Sequence, residues 1–295
     1  MDKMMIAAAI NEGSTKEQNP HVPYGVDEIV AAAIACADAG ASVIHFHARD
    51  ASTGDQLWEG YAAYAEAMKA IRKERDVLLY PSFPPNRPKE ERFAHVIALA
   101  EEPSVGLELV AFGIGSTNMG SYNPDTKELR GHTHVNPHED VIYFIESMRS
   151  RGVKPALGIR DVGHMRHLTM YREMGLIEDP VTVDITITDG DTYGPYPNVR
   201  GLMMYLDMVP PGMTLNWFVA SYGARGQGES FRRMSLLASA MGGHVRVGLG
   251  DNPRLDGKSY TNAEQVEITA NMARQAGREV ATVADARGLL GLAAS

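Results

Sequence analysis

One pattern constrains the fold of this chain more than any other: eight short apolar runs alternate with longer amphipathic stretches along its 295 residues. The runs cover residues 4–10, 42–47, 76–81, 107–112, 154–159, 181–187, 214–220 and 244–249. The stretches between them include 26–39, 61–74, 137–151 and 228–241, and residues 262–277 follow the eighth run. Strand and helix in regular alternation predict a parallel sheet, because parallel neighbours need a crossover between them. Eight repeats favour closure. The expectation is therefore an α/β fold, a single (β/α)8 TIM-type barrel over residues 1–295 with a C-terminal helical extension. An open doubly wound sheet is the runner-up, but Asn11-Glu12-Gly13-Ser14-Thr15 stands where its G-x-G-x-x-G fingerprint would be.

Local signals mark several boundaries. Asn136-Pro137 ahead of Glu139 and Asp140 reads as an N-cap, a first-turn proline and first-turn acids. Gly40 and Gly152 read as left-handed C-caps of the helices ending at Ala39 and Arg151.

Composition removes several classes of function. A net charge of -9 argues against a nucleic-acid partner, which needs a basic face. The lone cysteine, Cys36, lies in an apolar run and reads as a buried, inert thiol. No segment reaches the roughly 20 apolar residues of a membrane span, and residues 4–10 fit a buried strand better than a signal sequence. A soluble, cytoplasmic protein is expected.

In such barrels the chemistry sits where strands end, so polar residues there take the functional reading first. The sharpest signal is His45-Phe46-His47. Residues two apart on a strand share a face, so both imidazoles project together and can bind a zinc-like ion. A third protein ligand is needed, and Glu12, Asp161, His164 and Asp251 all follow strands. Arg246 stands inside the eighth apolar run, where a charge is costly without a carboxylate or an anionic substrate. Asp251 is its candidate partner, or a base. Ser82, Ser116 and Asn118 lie after the third and fourth runs and could orient a substrate carboxylate, or simply shape turns. His132, His134 and His138 fall in a long connecting segment and read as loop and capping residues.

With these residues in place, the chain resembles the beta-keto acid cleavage enzyme family nearly end to end. The resemblance is carried by Ala8-Ala9-Ile10, Asn19-Pro20-His21-Val22-Pro23, His45-Phe46-His47-Ala48-Arg49, Gly115-Ser116-Thr117-Asn118-Met119-Gly120 and Gly242-Gly243-His244-Val245-Arg246-Val247-Gly248. It implies a metal-dependent barrel that splits a β-keto acid with acetyl-CoA, giving acetoacetate and a new acyl-CoA. It also implies metal ligation by His45 and His47, a catalytic Arg246–Asp251 pair, and carboxylate binding by Ser82 and Ser116. Homo-oligomers, dimer or tetramer, are expected.

Departures from the family pattern are concentrated at the site. Gly250 replaces a glutamate that completes the metal site, and Pro155-Ala156-Leu157-Gly158 lacks both glutamates of the family's Pro-Glu-x-Glu. The loop Gly223-Ala224-Arg225-Gly226 also differs, while Arg160 and Asp161 follow the fifth run. Glu12 is expected to take the vacated ligand position, because strand eight of a closed barrel lies beside strand one, and strand one beside strand two. The alternative for Glu12 is recognition of a cationic substrate group. Two rival functions stand beside the leading one: an amidohydrolase-type metal hydrolase, which would need further histidines on strands five and six, and a degenerate barrel that only binds a metabolite.

Overall fold

The computed structural model describes residues 2–222, 228 and 230–292. The sheet strands are β1 (Ile6–Ala9), β2 (Val43–Phe46), β3 (Leu78–Pro81), β4 (Leu109–Gly113), β7 (Lys154–Ile159), β8 (Val181–Thr188), β9 (Leu215–Tyr222) and β10 (His244–Val247), with a hairpin, β5 (Thr117–Asn123) and β6 (Glu128–His134), after β4. The longer helices are α1 (Gly25–Asp38), α2 (Tyr61–Glu74), α5 (His138–Arg149), α8 (Phe231–Met241) and α9 (Asn262–Gln275). Shorter ones are α3 (Lys89–Arg92), α4 (Ala94–Ala100), α6 (Met165–Glu173), α7 (Val199–Leu206) and α10 (Val283–Leu290). No helix among the described residues is long and apolar enough to cross a membrane.

All eight sheet strands run parallel in the order β3-β2-β1-β10-β9-β8-β7-β4, and β3 lies beside β4, so the sheet comes round into a (β/α)8 barrel. Side chains alternate as the period of two requires. On β1, Ile6 and Ala8 pack outward against the helices, while Met5 and Ala7 face the barrel interior. Cys36 is buried on the inner face of α1, and burial raises its thiol pKa, as an inert core residue requires.

The N-terminal end of the barrel is plugged from below. Ala286 and Leu290 of α10 join Met5, Val43, Leu78, Leu109 and Phe218, and burial of a leucine there contributes roughly 1.5–3 kcal/mol. From the same helix Arg287 reaches Asp76 (2.6 and 2.7 Å) and Glu108 (2.7 and 3.0 Å). Those acids precede β3 and β4, the two strands that no ladder joins. Arg287 thus fastens the seam that backbone hydrogen bonds leave open.

Three local expectations change. Residues 117–134 form an antiparallel hairpin rather than a loop. Its strands carry only isolated apolar residues, Met119, Tyr122 and Leu129, so no apolar alternation announced them. Its turn is closed by Asn123 Oδ1, which accepts from Asp125 N at 3.0 Å, with Lys127 in a left-handed conformation. Asn136 does not cap α5; its side chain instead donates to Gly113 O (2.7 Å) and accepts from Arg92 Nη1 (2.9 Å). The eighth barrel strand stops at Val247 because Gly248 turns away with φ 138°, where any Cβ would lie 2.2 Å from Ala9 O. The loop 223–226 singled out above lies outside the described residues.

Candidate metal and substrate site

The strand C-termini open into a cleft of about 740 Å³. His45 and His47 enter it from the end of β2 while Phe46 packs outward with the helices, which is the same-face projection expected of a strand. Asn11 sets the position of His47: its Oδ1 accepts from His47 N (2.8 Å) and its Nδ2 donates to His47 O (2.9 Å). This side chain ties the exit of β1 to the exit of β2 and places Glu12 opposite both imidazoles. Glu12 itself sits at φ 40°, a conformation that costs a non-glycine residue about 1 kcal/mol or more.

Glu12 Oε1 lies 3.1 Å from His45 Nε2 and Oε2 lies 3.4 Å from His47 Nε2. The hydrogen-bond partners on the far side of each ring define the tautomers. Tyr80 O, 3.2 Å from His45 Nδ1, can only accept. Gln56 donates its Nε2 to Glu12 O at 2.5 Å, so its Oε1 accepts from His47 Nδ1 at 2.9 Å. Both rings therefore carry their proton on Nδ1 when neutral and turn an Nε2 lone pair toward the carboxylate. Burial lowers the His45 pKa to about 4 against the pull of Glu12, which keeps that ring neutral. Two lone pairs and a carboxylate facing one point make a donor set that a divalent cation satisfies, and the ligand atoms lie within 4.8 Å of one another. The residues fit a metal ion.

Arg246 occupies the centre of the barrel mouth. Its register neighbours are Ala7 on β1 and Ala220 on β9, whose small side chains leave it room. Asp251 grips it with Oδ2 3.0 Å from Nε and Oδ1 2.8 Å from Nη2. It also contacts Glu12, Tyr222 Oη (2.9 Å) and Asp184 Oδ2 (3.4 Å). Burial opposes its charge, but Asp251, Tyr222, Tyr80 and Glu12 outweigh it and raise its pKa well above the ordinary value. Burial pushes Asp251 up to about 6, against Arg246, and raises Asp184 likewise. Glu12 goes the other way: burial would raise it, yet Arg246, His47 and His45 hold it well below the usual carboxylate range.

Of the residues expected at the site, Glu12, His45, His47, Arg246 and Asp251 come together, and Ser82 lines the cleft. Ser116 and Asn118 do not line it. The Ser116 hydroxyl accepts from Asn136 N at 2.9 Å, and Asn118 accepts from Thr133 Oγ1 across the hairpin at 2.8 Å. Asp161 caps the short helical turn at Val162–His164, and His164 is buried beneath Gly115, so neither approaches the imidazole pair. His132 and His134, expected in a loop, instead line the cleft from β6, because the hairpin folds over the mouth. Tyr80, Asp184, Tyr222, Gln56 and Trp58 also line it without having been singled out. Asp184 alone carried a signal, a charge inside the apolar run 181–187.

A parallel barrel that gathers its ionisable groups at the strand C-termini is an enzyme of the (β/α)8 class. The particular family follows from comparison: the chain belongs to the beta-keto acid cleavage enzyme family, whose profile matches residues 3–292. It is 32% identical over 296 residues to the 3-keto-5-aminohexanoate cleavage enzyme of Fusobacterium nucleatum, covering 99% of each chain. It is 26% identical to the 3-oxoadipate:acetyl-CoA acetyltransferase of Cupriavidus necator, covering 94% of this chain and 90% of that one. Among solved structures, ObcA in binary complex with oxaloacetate superposes with a TM-score of 0.70 at 17% identity, over 93% of this chain and 68% of that one, a likeness of fold. An amidohydrolase reading loses its footing, since the imidazole pair stands on β2 and no histidine lies on β7 or β8.

Proposed function

We propose that this enzyme exchanges acyl groups between a β-keto acid and acetyl-CoA, yielding acetoacetate and a new acyl-CoA, with Glu12, His45 and His47 holding one divalent metal, zinc by its donor set. The observation that carries the reading is the convergence of two Nδ1-protonated imidazoles on the Glu12 carboxylate, beside a carboxylate-gripped arginine. When bound, the metal supplies Lewis acidity to the β-carbonyl of the substrate. Proton transfer at the acetyl methyl group falls to the Arg246–Asp251 pair, with Asp251 held behind Arg246 by two hydrogen bonds. Arg246 can turn its Nη1, held only by two 3.4 Å contacts to Tyr80 and Asp184, to the oxygen on which enolate charge develops. Ser82 orients the acid's carboxylate from the end of β3.

Use of acetyl-CoA is in keeping with a cytoplasmic enzyme, and exposed Tyr122 and Leu129 on the hairpin suit a homo-oligomer. Single-turnover formation of acetoacetate from a panel of β-keto acids and acetyl-CoA tests the reading. Acetoacetate release by wild type, abolished in Asp251→Asn, supports it. Stoichiometric binding of an acid with no acetoacetate would favour the degenerate, metabolite-binding barrel.

A further inference from the structure

Opposite the imidazole pair, the cleft holds a cation that the proposed reaction does not use. Arg160 follows β7, and in the barrel order β7 stands across the mouth from β1, which delivers Glu12. Arg160 lines the cleft, yet its Nη1 is shut away from water with no hydrogen-bond acceptor, and no carboxylate lies within ion-pair distance among the described residues. An arginine in this condition is costly unless something that enters the site supplies the missing charge.

The local construction keeps this cation in place. Gly113 and Gly158 pair across β4 and β7, and a Cβ on Gly113 would lie 2.6 Å from Arg160 Nη1. The absent side chain at 113 is what allows the guanidinium to lie against β4. A second buried guanidinium, Arg92, approaches from α3, and it too has no carboxylate within ion-pair distance among the described residues. His134 lines the same cleft, and burial followed by the fields of Arg160 and Arg92 lowers its pKa and keeps it uncharged. This corner of the cleft is electropositive, while the acids Glu12, Asp184 and Asp251 are all gathered around Arg246.

We propose that Arg160 receives an anionic group at the far end of the substrate, so that the acid cleaved is a β-keto dicarboxylate or carries an anion at an equivalent position. The proposal rests on the acyl-exchange reading for the reaction itself, but the charge preference follows from Arg160. A substrate bearing an ammonium group at that end would meet Arg160, with the charge of buried Arg92 behind it, and be rejected, a form of selectivity built on repulsion. An uncharged end would leave the arginine unpaired.

Calorimetric titration of the metal-loaded enzyme with an unreactive straight-chain dicarboxylate and its monocarboxylate of equal length separates binding from turnover. Kinetics with the matching β-keto acids supply the second readout. Wild type is expected to favour the dianion by about a hundredfold in both, the scale set by an unpaired buried charge. Arg160→Gln should erase that preference while leaving the monocarboxylate unchanged, and Arg160→Lys should restore part of it. Equal loss for both ligands would mean that Arg160 holds the carboxylate common to every β-keto acid, and would overturn the proposal. So would an unchanged preference in a folded Arg160→Gln protein. Should no acid give acetoacetate while the dianion preference and its loss in Arg160→Gln persist, the reaction would be misassigned and Arg160 would stand as the anion receptor.

Discussion

Glu12 and Gly250 share one volume: a Cβ built on Gly250 would lie 2.5 Å from Glu12 Cγ and 2.9 Å from Glu12 Cβ. The carboxylate beside the imidazoles can come from the exit of β1 or from position 250, but not from both. Gly250→Ala alone should push Glu12 aside, lowering stability by about 1–3 kcal/mol through overpacking and weakening metal binding. The paired change Glu12→Gly with Gly250→Glu should recover the metal, read by elemental analysis and thermal melts. Normal metal content in Gly250→Ala would show that Glu12 is not a ligand.

Metal retention should depend on the imidazoles and, to a lesser degree, on what holds them. Purified enzyme should carry about one divalent ion per chain, absent in His45→Ala and His47→Ala. Gln56→Leu removes the acceptor that sets the His47 tautomer, and affinity should fall by about 10–100-fold. Competition with a chromogenic chelator measures both effects.

Arg246 couples catalysis to folding. Arg246→Ala would leave Asp251 and Glu12 buried without their counter-charge, so a loss of about 3–5 kcal/mol is expected along with turnover. Arg246→Lys keeps the charge but not the two-pronged grip on Asp251, and should melt between the other two while remaining inactive. Urea unfolding with parallel assays gives the ranking. A stable, metal-loaded Arg246→Ala protein would separate the arginine from the ion cluster.

Acid should destabilise the enzyme partly through His244, which is far from the metal group. The ring is buried and its Nδ1 accepts from Met5 N at 3.0 Å; burial, with Arg278 nearby, lowers its pKa to about 3. The folded value lies below the unfolded one of about 6.5, so the contribution is complete above pH ~6.5 and is lost as pH falls from there toward ~3. Its slope is up to about 1.4 kcal/mol per pH unit. His244→Asn retains an acceptor for Met5 N without titrating. Stability curves for the two proteins should therefore converge as pH falls through that window, the wild type losing more. Parallel curves would show that His244 is free to protonate in the folded state.

What the sequence determined by itself was everything governed by short-range periodicity. Eight apolar runs became eight parallel strands, and the i, i+2 spacing of His45 and His47 put both rings in the cleft. The Arg246–Asp251 pair was legible too, because a charge within an apolar run demands a partner nearby. Other features belonged to the tertiary structure. Ser116 and Asn118 carry the same donors as Ser82, but only the course of the hairpin decides that their hydrogen bonds go to Asn136 and Thr133. The hairpin itself was silent, since strands with only isolated apolar residues show no alternation, and with it went the placement of His132 and His134 over the mouth. Arg160 gave no local sign of lacking a partner. Charge compensation is settled by groups brought together through barrel closure, over distances in sequence that no local pattern encodes.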